Sequence, residues 1–120
     1  MTVGAKINAD GAGPDIAAAD VTLDAGWGTT PVLAIASGSN DARGKITVTA
    51  DATPAADATI VVAFKKAKDA APFVFVQRCD EDQAAGDFRV TDITVDDFTI
   101  TFEGTPVDTE VYEVEYLVVE

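Results

Sequence analysis

Carboxylates dominate the groups in this chain that could do chemistry: 21 Asp and Glu residues stand against eight Lys and Arg, with no histidine. The missing imidazole removes the Ser-His-Asp and Cys-His arrangements of nucleophilic catalysis, and with them the commonest zinc ligand. Cys79 is the single cysteine, and Asp80-Glu81-Asp82 follows it. Adjacent carboxylates disfavour a thiolate, so Cys79 reads as a half-buried structural residue and a poor nucleophile. The three acids could hold a hard cation, but consecutive carboxylates on a loop usually repel one another and stay hydrated. Asp20-Val-Thr22-Leu-Asp24-Ala-Gly26 places oxygen ligands at alternate positions, in the manner of a calcium loop. Its glycine falls seventh instead of sixth and its twelfth position is Pro31, so a solvated acidic turn fits better. No metal and no cofactor is expected.

Three further sets of residues invite a chemical reading. Paired carboxylates could cleave glycosidic bonds, yet one Trp and two Tyr leave little to stack sugars, and both tyrosines fall on the apolar face of the last strand. Lys65-Lys66 could touch a phosphate; a solvated strand exit is the simpler account. Gly38-Ser39-Asn40-Asp41 is a run of turn formers in which Asn40 and Asp41 tolerate the backbone conformations of a tight corner. A small hydrolase is disfavoured throughout, because no nucleophile has a visible activating partner.

The frame that must hold these residues is small. A chain of 120 residues fits one domain, and its 48% apolar content is enough for a core. The net charge of -13 repels phosphate backbones and anionic lipid, so neither nucleic acid nor membrane is an expected partner. One cysteine allows no intrachain disulfide, which points to a reducing site of synthesis. The stretch MTVGAKINADGAGPDIAAAD carries no apolar run of signal-peptide length, and no later run is long enough for a membrane-spanning helix. A soluble protein made in the cytoplasm is expected.

Residues 1–26 lack any sustained period of 2 or 3.6, and their apolar residues are sparse. They read either as a frayed terminus or as an extended arm that orders against a partner. In the second case Val3, Ile7, Ile16, Val21 and Leu23 are the contact residues. Trp27, between two glycines, either plugs one end of the core or anchors the arm to a neighbouring subunit.

Residues 27–120 show about seven short strands, near 31–36, 45–50, 59–64, 73–77, 88–95, 98–102 and 112–118, separated by Gly, Pro, Asp and Asn clusters. TIVVAF and FVFVQ are apolar on both faces, as central strands are. The phase of Val90 against Ile93 and Val95 places a bulge or break near Asp92. Asp96-Asp97 has the look of a two-residue hairpin loop. The fold class is all-β: an antiparallel sandwich or barrel behind an extended N-terminal arm.

The order of these segments carries a resemblance. Gly44-Lys-Ile-Thr-Val-Thr49 follows the Gly-Ser-Asn-Asp turn. After it come Ala56-Asp-Ala-Thr-Ile-Val-Val-Ala-Phe64, Ala71-Pro72-Phe-Val-Phe-Val76, Thr94-Val-Asp-Asp-Phe-Thr-Ile-Thr-Phe102, Gly104-Thr-Pro106 and Tyr112-Glu-Val-Glu-Tyr-Leu-Val-Val-Glu120. Over roughly residues 27 to 120 the chain resembles the small β-sandwich domain of tailed-bacteriophage structural proteins: head decoration proteins, head fibres and tail-fibre tips. The resemblance implies a non-enzymatic virion protein on the outer surface of the head, a capsid decoration or cement protein. It also implies a major capsid protein as partner, a homo-oligomer with a trimer favoured, and an N-terminal segment that touches the shell. The fibre members of the group imply the alternative of a receptor- or glycan-binding adhesion module.

Overall fold

The computed structural model of the chain describes residues 14–80 and 86–120. Eight strands form among them: β1 (Val21–Leu23), β2 (Val32–Ile35), β3 (Arg43–Thr49), β4 (Thr59–Ala63), β5 (Phe73–Arg78), β6 (Asp87–Ile93), β7 (Asp97–Glu103) and β8 (Val111–Val119). They make two four-stranded antiparallel sheets with orders β1-β4-β7-β6 and β2-β3-β8-β5. The fold is the expected all-β sandwich, with one strand more than the pattern of alternation indicates. Only the β2–β3 and β6–β7 connections stay within one sheet. Every other connection crosses from one sheet to the other, so the two layers are laced together.

The core follows from strand alternation. Ile46 and Val48 of β3, Ile60 and Val62 of β4, Phe98, Ile100 and Phe102 of β7, and Tyr112, Val114, Tyr116 and Val118 of β8 all point inward and are buried. Burying such side chains contributes about 1.5–3 kcal/mol each, which is what holds the two layers together. Gly44 on β3 is a packing requirement: a Cβ there would stand 2.5 Å from the Tyr116 hydroxyl. The bulge falls in β6, where the register with β7 shifts between Val90 and Asp92. The β6–β7 hairpin turns one residue earlier than Asp96-Asp97. The Thr94 N–H donates to the Asp97 carbonyl (2.8 Å), which leaves Val95 and Asp96 at the tip.

The boundary expected at residue 26/27 does not hold among the described residues. β1 pairs with β4, Val21 opposite Val62 and Leu23 opposite Ile60, so this segment is an edge strand of the first sheet. Ile16 and Val21 are buried in the chain's own core, and Leu23 packs against it. Three residues are too few to show a period, and the partner that orders them is β4. Val3 and Ile7 lie outside the described residues.

Candidate interaction face

Trp27 is the largest buried side chain, with 0% exposure. A short 3₁₀ turn over Ala25–Trp27, capped by the Asp24 side chain, swings the indole inward. Its Nε1–H donates to the Thr59 carbonyl at 2.9 Å. The ring packs among Phe88, Phe102 and Tyr112, with centroids 5.6–6.3 Å away. That geometry is the plug, and an indole so enclosed has no surface left to anchor a neighbouring subunit. Of the six expected contact residues, Ile16, Val21, Leu23 and Trp27 therefore serve the chain's own core instead.

Of the acids singled out for metal or catalytic chemistry, Asp24, Asp41 and Asp80 hold backbone, and Glu81 and Asp82 lie outside the described residues. Asp24 Oδ1 accepts from Gly26 N–H at 2.9 Å and Thr59 N–H at 3.1 Å. Asp80 Oδ2 accepts from Arg78 Nε at 2.8 Å and from Glu113 N–H at 3.0 Å. Asp41 is 2% exposed and accepts from the Lys65 N–H (2.7 Å) and the Lys66 N–H (3.0 Å). Two successive amides make a small anion site, and here the anion is the chain's own carboxylate. The Lys65-Lys66 pair thus binds Asp41 through its backbone. Buried Lys68 places its Nζ 3.9 Å from Asp41 and 3.3 Å from Glu120, so the buried carboxylate also has a cation beside it. Among the described residues no group of three or more His, Cys, Asp or Glu side chains is arranged to hold a metal ion. Burial pushes the Cys79 thiol up, and Glu115, Glu113 and Asp80 add to the rise against the opposing pull of Lys45.

The Gly38–Gly44 corner is equally committed. Gly38 supplies the left-handed conformation (φ +87°), and Asn40 and Asp41 act through their side chains. Asn40 Oδ1 accepts from Ala42 N–H (2.8 Å) and Arg43 N–H (3.1 Å), an Asx-type turn. The Tyr116 hydroxyl donates to the Asn40 carbonyl at 2.6 Å. A depression of about 300 Å³ opens beside this corner, lined by Ser37, Ser39, Arg43, Lys45 and Glu115 among others.

A different surface stands out, and it comes from β5. Alternation turns Val74 and Val76 inward, where they face Val118 and Tyr116 of β8. It turns Phe73 and Phe75 outward, opposite Val119 and Leu117. No described element covers this side, and Phe73 and Phe75 stay 71% and 60% exposed. β5 is apolar on both faces as expected, but contrary to the expectation of a central strand it is an edge strand, paired with β8 alone among the described residues. Next to the apolar group on the same outer face, Arg43 lies opposite Leu117 and Lys45 opposite Glu115. Contiguous outward aromatics and aliphatics of this kind mark contact surfaces. The sequence signal was present in the FVFV alternation and in the apolar Leu117 and Val119 on the otherwise acidic face of β8, but it did not say which strand would lie beyond β5.

No helix among the described residues is long and apolar enough to cross a membrane. Compared with models of protein families, with curated proteins and with solved structures, the chain matches none.

Proposed function

We propose that the chain is a structural protein of a bacteriophage virion, a decoration protein that binds the outer surface of the head and stabilises it. The observation that carries this reading is the outward apolar surface of Phe73, Phe75, Leu117 and Val119, on a sandwich whose Asp24, Asp41 and Asp80 are tied to its own backbone. Such a molecule keeps one shape and meets other proteins through its surface, which is the work of an assembly part. The resemblance of residues 27 to 120 to phage sandwich domains supplies the setting, with the major capsid protein as partner.

In this role the chain acts mechanically. A subunit bound across neighbouring capsid proteins adds binding free energy that must be lost before they separate. Repetition over a lattice lets weak single contacts add up. The test is to mix the purified chain with phage shells that lack it. Saturable binding at a fixed copy number and a higher melting temperature of the shell are expected. Absence of binding overturns the proposal.

A head-fibre or tail-fibre adhesion module is the second reading, favoured by the hydroxyl- and charge-lined depression beside the Gly38–Gly44 corner. Specific retention on a glycan array, lost on replacing Arg43 with Ala, would select it over the first.

A further inference from the structure

The four sheet edges of the sandwich are not treated alike. β1 has three residues. β2 has four, directly after Pro31, which has no N–H to offer. β6 carries Asp87, Arg89 and Asp92 and is bent by its bulge. Short length, charge, proline and bulges are the means by which proteins keep edge strands from pairing with other chains. β5 also follows a proline, Pro72, but from Phe73 to Gln77 it runs five residues with no charge and no bulge, and with two outward phenylalanines. The first charged residue, Arg78, pairs inward with Asp80 at 2.8 Å.

We infer that the free edge of β5 pairs with β5 of a second copy, antiparallel across a two-fold axis, to join the two β2-β3-β8-β5 sheets into one. The argument for a copy of the same chain is charge and self-complementarity. Net charge -13 opposes contact between copies, and that opposition is least at Phe73–Gln77, a stretch of edge without a carboxylate. Side chains alternate along both strands, so any pairing that keeps the apolar faces together sets the phenylalanines of one copy beside those of the other. A two-fold contact of like strands satisfies both copies at once and closes on itself, so it makes a dimer and not a fibre. It also differs from the trimer that the family resemblance implies.

The contact is modest in size. The exposed parts of Phe73 and Phe75 amount to on the order of 250 Å² per copy. A standard interface takes about 800 Å² per partner, so backbone pairing, Leu117 and Val119 must supply the rest. The dimer is therefore a weak one, with a dissociation constant on the order of micromolar.

Sedimentation equilibrium of the full chain from about 1 to about 200 μM tests this without any shell present, so its outcome is separate from that of the decoration proposal. The mass is expected to rise from 12.4 kDa to twice that value. Phe75→Lys should move the midpoint to at least about tenfold higher concentration while the β-type circular dichroism is kept. Phe73→Lys provides the same readout if the first variant fails to fold. Val32→Lys, exposed on the opposite edge strand, should leave the midpoint where it was. Monomer mass at every concentration overturns the inference. So does a trimer, a dimer indifferent to both phenylalanine variants, or one shifted equally by Val32→Lys.

Discussion

β4 and β5 are built from the same kind of residue and do opposite work. β4, TIVVA, lies between β1 and β7, with Ile60 and Val62 buried inward and small or β-branched Thr59, Val61 and Ala63 outward. β5, FVFVQR, sends its valines inward and its largest side chains into solvent, with a hydrogen-bonded strand on one side only among the described residues. Apolar residues in β4 stabilise the fold, because strands flank them on both sides and the other sheet covers them. The outward half of β5 adds little to the monomer, and its hydrophobic free energy is released only when another surface arrives.

Four variants sharpen or break that contrast. Asp41→Ala acts where the chain leaves β4: it takes the acceptor from two amides and a partner from buried Lys68, and should cost about 4 kcal/mol in urea unfolding. Ile60→Ala opens a cavity under β4, and a loss of about 3 kcal/mol by the same measurement is expected. A cost below about 1 kcal/mol would place β4 among the dispensable strands.

Tyr116, opposite Val76 on the inner face of β5, comes next. Tyr116→Phe loses the bond to the Asn40 carbonyl and should cost about 1 kcal/mol. Burial, and then the negative charge of Asp41, push this phenol well above the ordinary tyrosine value of about 10. A raised folded-state value means that the contribution is complete below the unfolded value and is lost as pH rises above it. Urea midpoints measured from neutral to strongly alkaline pH should therefore fall less steeply in Tyr116→Phe than in the parent. The smallest effect belongs to Phe75→Ala, within about 0.5 kcal/mol of the parent in monomer stability at high dilution. A large loss there would mean that the outward ring packs within its own chain.

Most of the architecture could be read from residue types, for identifiable reasons. Strands β2 to β8 announce themselves by alternation or by short apolar runs between turn formers, and the phase slip around Asp92 located the bulge. β1 escaped because three residues carry no period, and its order comes from pairing with β4, some forty residues later. The same long-range cause hid the role of Ile16, Val21 and Trp27: their sparse surroundings in sequence look like an arm, and their surroundings in space are a core. The Asx turn at Asn40 was local and legible, whereas the capture of the Lys65 and Lys66 amides by Asp41 joins two loops and was not. Alternation told that Phe73 and Phe75 share a face. It could not tell that no described strand would lie beyond them.

β8 is the last of the described strands, and it is the one that both β3 and β5 pair with in their sheet. A ribosome building this protein from its N-terminus must therefore hold one complete layer and one split layer until residues 111–119 emerge. For that interval β3 and β5 have bare flanks and the inner faces of both layers lack their cover, a state open to proteases and chaperones. A chain stopped before Val111 is accordingly expected to lack a cooperative melting transition by circular dichroism. Completion of the domain is then a single event, governed by the emergence of one nine-residue strand.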